Sequence, residues 1–305
     1  MATRPHERPS VPPLLGIATG IAAVSSASIF IRYAQREAPS LVIAAARLTL
    51  ASLILAPMAL TRYRSEYRRL TRLEGWLAIL SGFFLALHFA TWISSLEYTT
   101  VASSTVLVST SPLFVAVASW LFLREKIGRA VVVGLVVALA GSAIIGLSDA
   151  GKAGSTLQSA LLGDALAFAG AVTVAGYLLI GRRLRARLSL VPYIAVVYGS
   201  AAIVMLGLVG FARQTLVGYT PATYGWLVLL ALVPQLIGHS SFNWALAHLP
   251  ATFVSVATLG EPIGSTLLAY LILGEAPTPV KIIGAVMILV GIAVASRNPS
   301  APASP

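Results

Sequence analysis

The chain has 305 residues, 57% hydrophobic and 10% charged, with a mean hydropathy of +0.87, a net charge of +11 and no cysteine. A soluble domain carries about 25% charged residues to cover its surface, so this composition excludes a water-soluble globular enzyme, a disordered tail protein and a disulfide scaffold. A polytopic, all-α membrane protein remains.

In chain order, a Pro-rich tail (1–13) reads as disordered. Apolar windows bounded by charges, Pro or turn residues then fall at about 12–34, 40–60, 74–97, 100–123, 129–148, 158–183, 190–212, 223–248, 251–273 and 279–296, and a second tail covers 298–305. Each window is about the length that a helix needs to cross a bilayer, which predicts ten transmembrane helices. The first is too long for a signal-peptide core and is expected to be retained.

Basic residues cluster between windows: Arg62, Arg64, Arg68, Arg69 and Arg72; Arg124, Lys126 and Arg129; Arg182, Arg183, Arg185 and Arg187. In a soluble chain such basicity would suggest nucleic acid, but here it follows the pattern of cytoplasmic loops and predicts both termini in the cytoplasm. No nucleic-acid partner is expected.

A shift of 150 residues lays Trp76 on Trp226, Pro112 on Pro262, Glu125 on Glu275, Gly134 on Gly284 and Gly141 on Gly291, and a shift of 147 lays Leu14–Gly16 on Leu161–Gly163. The unit holds five windows. An odd number sends the second copy into the membrane from the opposite side, so the reading is two inverted five-helix repeats, 14–148 and 158–297, an arrangement that places a transporter's site at the midplane.

Candidate functional residues are the few polar ones inside windows. Pro112 and Pro262 each lack an N–H and crowd the carbonyl four residues back, which predicts a mid-helix kink, either static or a gate hinge. Glu261 lies ~15 Å deep in a ~30 Å apolar core by helical rise. It reads as a site for a substrate amine or a proton, or as a neutral acid bonded to the kinked backbone. Ser111 takes its place in the first half.

His88 shares a helix face with Trp92, an amphipathic wall for an aromatic or aliphatic solute. His239 and Asn243, also four apart, offer hydrogen bonds either to a solute or between helices. Arg47 could meet a substrate carboxylate or pair with backbone carbonyls, and Tyr98, Tyr177, Tyr198 and Tyr270 read as interface-belt or cavity residues. Glu125 and Glu275 read as interfacial helix ends, and Gly16 with Gly20 as a site of close helix approach.

The stretches Ser95-Leu-Glu-Tyr-Thr-Thr-Val-Ala, Thr110-Ser-Pro-Leu-Phe-Val-Ala-Val-Ala-Ser-Trp-Leu-Phe-Leu-Arg-Glu-Lys and Gly260-Glu-Pro-Ile, with Leu273-Gly-Glu beyond it, resemble the EamA family of the drug/metabolite transporter superfamily. The resemblance covers about 14–297. It implies export of amino acids or related small metabolites by alternating access, with the site in a central cavity.

The combined expectation is a secondary transporter in a bacterial plasma membrane, monomer or homodimer, with a small-molecule substrate and protons as a candidate coupling ion. Substrate contacts are expected at His88, Trp92, His239, Asn243 and Glu261, and gating at Pro112 and Pro262. No cofactor, metal or catalytic residue is expected, because phosphate-loop, zinc and nucleophile-elbow motifs are missing. The rival class is an intramembrane enzyme acting on a lipid-soluble substrate, but nothing pairs a nucleophile with a base.

Overall fold

The computed structural model describes residues 11–99, 104, 107–124, 126–147, 157–273 and 278–296. Glu125, Glu275, residues 1–10 of the first tail and all of the second lie outside the described residues. Every regular element among the described residues is helical. They are α1 (Pro13–Val24), α2 (Ala27–Ala34), α3 (Ser40–Arg62), α4 (Arg64–Tyr67), α5 (Arg72–Tyr98), α6 (Ser111–Ala118), α7 (Arg129–Leu147), α8 (Leu157–Arg185), α9 (Leu190–Phe211), α10 (Pro221–Leu230), α11 (Ser240–Ala245), α12 (Ala251–Thr258), α13 (Glu261–Leu273) and α14 (Pro279–Ser296). π-Helical stretches extend α6 (Ser119–Leu123) and join α10 to α11 (Ala231–His239).

Among the described residues, six segments are long and apolar enough to cross a membrane: Pro13–Ala34, Ser40–Arg62, Arg72–Tyr98, Leu161–Arg185, Leu190–Phe211 and Pro221–Ala245. The other four windows hold shorter apolar helices, among them Ser111–Leu123, Arg129–Gly141 and Ile282–Ala295. Two of these windows are broken near the middle, and the prolines explain why. Instead of kinking a continuous helix, Pro112 and Pro262 sit in the first turn of a new one, after turns at Ser109–Thr110 and Leu259–Gly260. There the missing N–H would have had no helical partner anyway.

α5 packs along α8, α3 along α9, α7 along α14, and α1 and α2 along the α10–α11 segment. Close approach depends on glycine. A Cβ on Gly134 would lie 2.4 Å from the Gly291 carbonyl oxygen, and one on Gly141 would lie 2.5 Å from that of Gly284. Numbering rises along α7 as it falls along α14, so the two helices run antiparallel. Gly16 and Gly20 instead form a notch that receives the rings of Trp244 and Phe242.

At one end of the bundle the Ser189 N–H donates to Glu66 at 2.7 Å, and Arg187 reaches Glu74 at 3.5 Å, which brings the arginine clusters of 62–72 and 182–187 together. At the other end the Ser40 N–H donates to Glu97 at 3.1 Å, and Glu37 accepts from Thr220 and Thr223. Arg185, grouped by sequence with the loop cations, is buried. Its Nε–H donates to the Asn243 carbonyl at 3.0 Å and its Nη1 to that of Leu188.

Candidate functional site

Segments from the two halves of the chain bring their polar side chains to one place. Arg47 of α3 is 1% exposed; its Nε–H donates to Gln235 Oε1 at 2.7 Å, and its guanidinium lies 4.1 Å above the centre of the Phe89 ring. Gln235 stands in the π-helical stretch beside Pro234, where the wider turn interrupts regular bonding and lets an amide face inward. The Tyr198 hydroxyl of α9 bridges the Gln235 carbonyl at 3.4 Å and Ser240 Oγ at 3.2 Å.

Asn243, fully buried on α11, donates through Nδ2 to the Tyr177 hydroxyl and, at 2.8 Å, to the His239 carbonyl. On α5, Nδ1–H of His88 donates to the Gly170 carbonyl of α8 at 2.9 Å, which leaves Nε2 as an acceptor on the neutral ring. His88 stacks on Trp92 at 5.9 Å and 9° between planes, while Phe89 meets the His239 ring edge-on at 5.2 Å. Together they make a wall of aromatic rings with polar edges.

Glu261 opens α13, half-buried. Its backbone carbonyl accepts from Ser25 Oγ at 3.3 Å. The other acids among the described residues are occupied near helix ends: Glu37, Glu66, Glu74 and Glu97 as above, and Asp164 by the Thr99 hydroxyl at 2.8 Å. Glu261 is the one whose carboxylate accepts no hydrogen bond among the described residues. Pro262 follows it and Pro112 is the second residue of α6, each in the first turn after a helix break.

Of the residues that sequence singles out, the structure gathers Arg47, His88, Trp92, His239 and Asn243 with Tyr177 and Tyr198, and sets Glu261 at the start of α13 beside Ser25. Gln235 and Phe89 are absent from the sequence reading. An uncharged amide four residues before His239, in an otherwise apolar run, was the available signal for Gln235; Phe89 had none, because a phenylalanine in an apolar helix marks nothing by itself. No group of three or more metal-ligating side chains occurs among the described residues.

A buried polar cluster inside a lipid-facing bundle is what a solute pathway requires, and comparison with known proteins points the same way. The EamA-like transporter family model matches residues 12–147 and again 161–297. The chain belongs to the EamA-like transporter family. It is 24% identical over 283 residues to "Uncharacterized transporter YetK" of Bacillus subtilis, covering 92% of this chain and 85% of that one. Over 201 residues, 64% of each chain, it is 24% identical to "Probable terminal-alkyne amino-acid exporter" of Streptantibioticus cattleyicolor. A solved crystal structure superposes with a TM-score of 0.77 at 21% identity, covering 94% of this chain and 97% of that one, and so shares the fold. As a member of this family the protein is a multi-pass membrane transporter for a small molecule, not an enzyme.

Proposed function

We propose that the protein is a secondary transporter that exports a small amphipathic metabolite, foremost an amino acid, by alternating access. Its ten spans form two inverted five-helix repeats in the plasma membrane, with both termini in the cytoplasm. The observation that carries this reading is the buried cluster itself: Arg47, Gln235, Asn243 and Tyr198 enclosed with the rings of His88, Trp92, Phe89 and His239, at the meeting of spans from both halves.

Further support comes from several sides. The two family matches, the antiparallel glycine contacts and the helix breaks before Glu261 and Pro112 fit inverted repeats with discontinuous helices. One relative is named as an amino-acid exporter. A cation, a carboxylate and an aromatic wall fit a solute with two charged ends and an apolar side chain.

His88 with Trp92 forms the substrate wall, His239 and Asn243 position hydrogen-bonding groups, and Glu261 recognises an amine or carries a coupled proton. Pro112 and Pro262 set the breaks at which the half-helices swing. Counterflow in proteoliposomes tests this, with amino acids and related metabolites screened with and without a pH gradient. The solute is expected to cross chemically intact, and His88→Ala and Glu261→Gln to reduce flux about tenfold or more with the protein still folded. Wild-type flux in both variants would remove these residues from the site.

A further inference from the structure

The hydrogen bonds of the central cluster leave a surplus of donors. Among the described residues, Nη1 and Nη2 of Arg47 and Nε2 of Gln235 are buried without an acceptor, against one buried acceptor of the cluster without a donor, Asn243 Oδ1. The bond already made, Arg47 Nε–H to Gln235 Oε1, joins the two side chains end to end, so the free nitrogens belong to one composite group. Phe89 stacks under the guanidinium and Tyr198 holds the Gln235 backbone, which limits how far either can turn. Neither terminal nitrogen of Arg47 donates to the Glu261 carboxylate.

A buried donor with nothing to donate to is destabilising, and more so when it carries charge. One reason a folded protein retains such a group is that a ligand completes it. The planar fork of a guanidinium matches the two oxygens of a carboxylate better than it matches a spherical or tetrahedral anion.

We propose that Arg47, steadied by Gln235 and Phe89, receives the carboxylate of the transported solute through its two terminal nitrogens, with Gln235 Nε2 as a third donor. This rests on the transporter reading above and names the group by which the substrate is selected. The consequence is that acids are carried and their neutral derivatives are refused. Gln235 is then a positioning residue as well as a contact: it fixes the guanidinium through Nε.

The test uses the full chain purified in detergent, with thermal unfolding followed in the presence of L-phenylalanine, L-leucine and L-threonine, the amide of each, 3-phenylpropionate, chloride and inorganic phosphate. At least one acid is expected to raise the unfolding temperature with an apparent affinity tenfold or more above that of its amide, and above chloride and phosphate. Gln235→Glu places a carboxylate where Arg47 already bonds. It is expected to raise the unfolding temperature without added probe and to abolish the response to acids, and Arg47→Leu to abolish that response as well.

Equal responses to acid and amide would overturn the proposal, as would a phosphate or chloride response equal to that of the acids, or an intact acid response in Gln235→Glu, which remains informative even if Arg47→Leu does not fold. No response to any probe overturns it too. The intact-solute counterflow described above is independent of these probes, so flux without acid selectivity would defeat the carboxylate site and leave the transporter reading standing.

Discussion

Gly82 sits where α5 crosses α9, and a Cβ built on it would fall 1.9 Å from Ser200 Oγ and 2.4 Å from the Val197 carbonyl oxygen. A side chain can turn away; a backbone carbonyl in a helix cannot without moving the helix. Gly82→Ala is therefore expected to destabilise by about 1–3 kcal/mol, read as a lower unfolding temperature in detergent. Gly207→Ala, with nothing within 4 Å of its added methyl, is expected to be neutral or slightly stabilising because alanine favours the helix. Single residues also mark how far the site can be read from sequence. Arg47, Glu261, His88 and His239 stand out because an ionisable group in an apolar window is costly wherever it points. Which face each occupies is another matter: lipid and protein core are both apolar, so helices such as α5 and α7 show almost no polar stripe from which to read rotation. For that reason Tyr177 and Tyr198 could be cavity or interface residues until neighbouring helices were in place, and Phe89 was invisible.

Acidic residues at the ends of elements follow a common plan. Thr71 Oγ1 accepts from the Glu74 N–H at 3.2 Å while Glu74 accepts from the Thr71 N–H at 3.0 Å, a capping box that starts α5. Across the bundle Glu37, from the α2–α3 connection, performs the comparable service for α10. It accepts from the Thr220 N–H at 3.0 Å and the Thr223 hydroxyl at 2.8 Å. These bonds, the Thr220 backbone first and the Thr223 hydroxyl next, hold the Glu37 carboxyl below its ordinary value of 4.5. A lowered folded-state value means that the cap contributes fully above 4.5 and is lost as pH falls through the lower, folded value. Glu37→Gln should therefore lower the unfolding temperature at neutral pH, and the gap between variant and wild type should close as the solution is acidified through that range. A gap independent of pH would show that the carboxylate charge plays no part in holding α10.

At the scale of the whole molecule, the apolar windows were legible because length and charge placement decide them, and six of the ten correspond, among the described residues, to helices long and apolar enough to span. The prolines predicted a kink in two windows; what sequence did not show is that those helices break outright and that two further windows are interrupted at Ser25–Ser26 and Ala231–His239. The breaks at Ser25–Ser26 and Leu259–Gly260 and the π-helical stretch Ala231–His239 belong to segments that pack on one another through α1, and there Ser25 Oγ meets the Glu261 carbonyl while Ser265 Oγ meets that of Ser25. Single-residue periodicity carries no signal for such breaks, since the surrounding residues are apolar on either side. The proposed orientation is checked by cysteine accessibility, which the cysteine-free background makes simple. Arg68→Cys and Arg187→Cys should label from the cytoplasmic side and Val217→Cys from the opposite side; Arg185, being buried, would report on packing instead. Labelling of Arg68→Cys and Arg187→Cys from opposite sides would overturn the inverted arrangement. α7 and α14 form a pair beside these irregular segments and touch them through α12. Their two glycine contacts lock them at separate heights, and their apolar neighbours, Leu135 with Phe253 and Ala295, and Ala138 with Leu259 and Ile288, form small cores separate from the main one. Two helices that close on each other at two separate heights have little room to slide, so a larger side chain at Gly134 or Gly141 would have to push α14 away, and the apolar clusters that tie the pair to α12 would open with it.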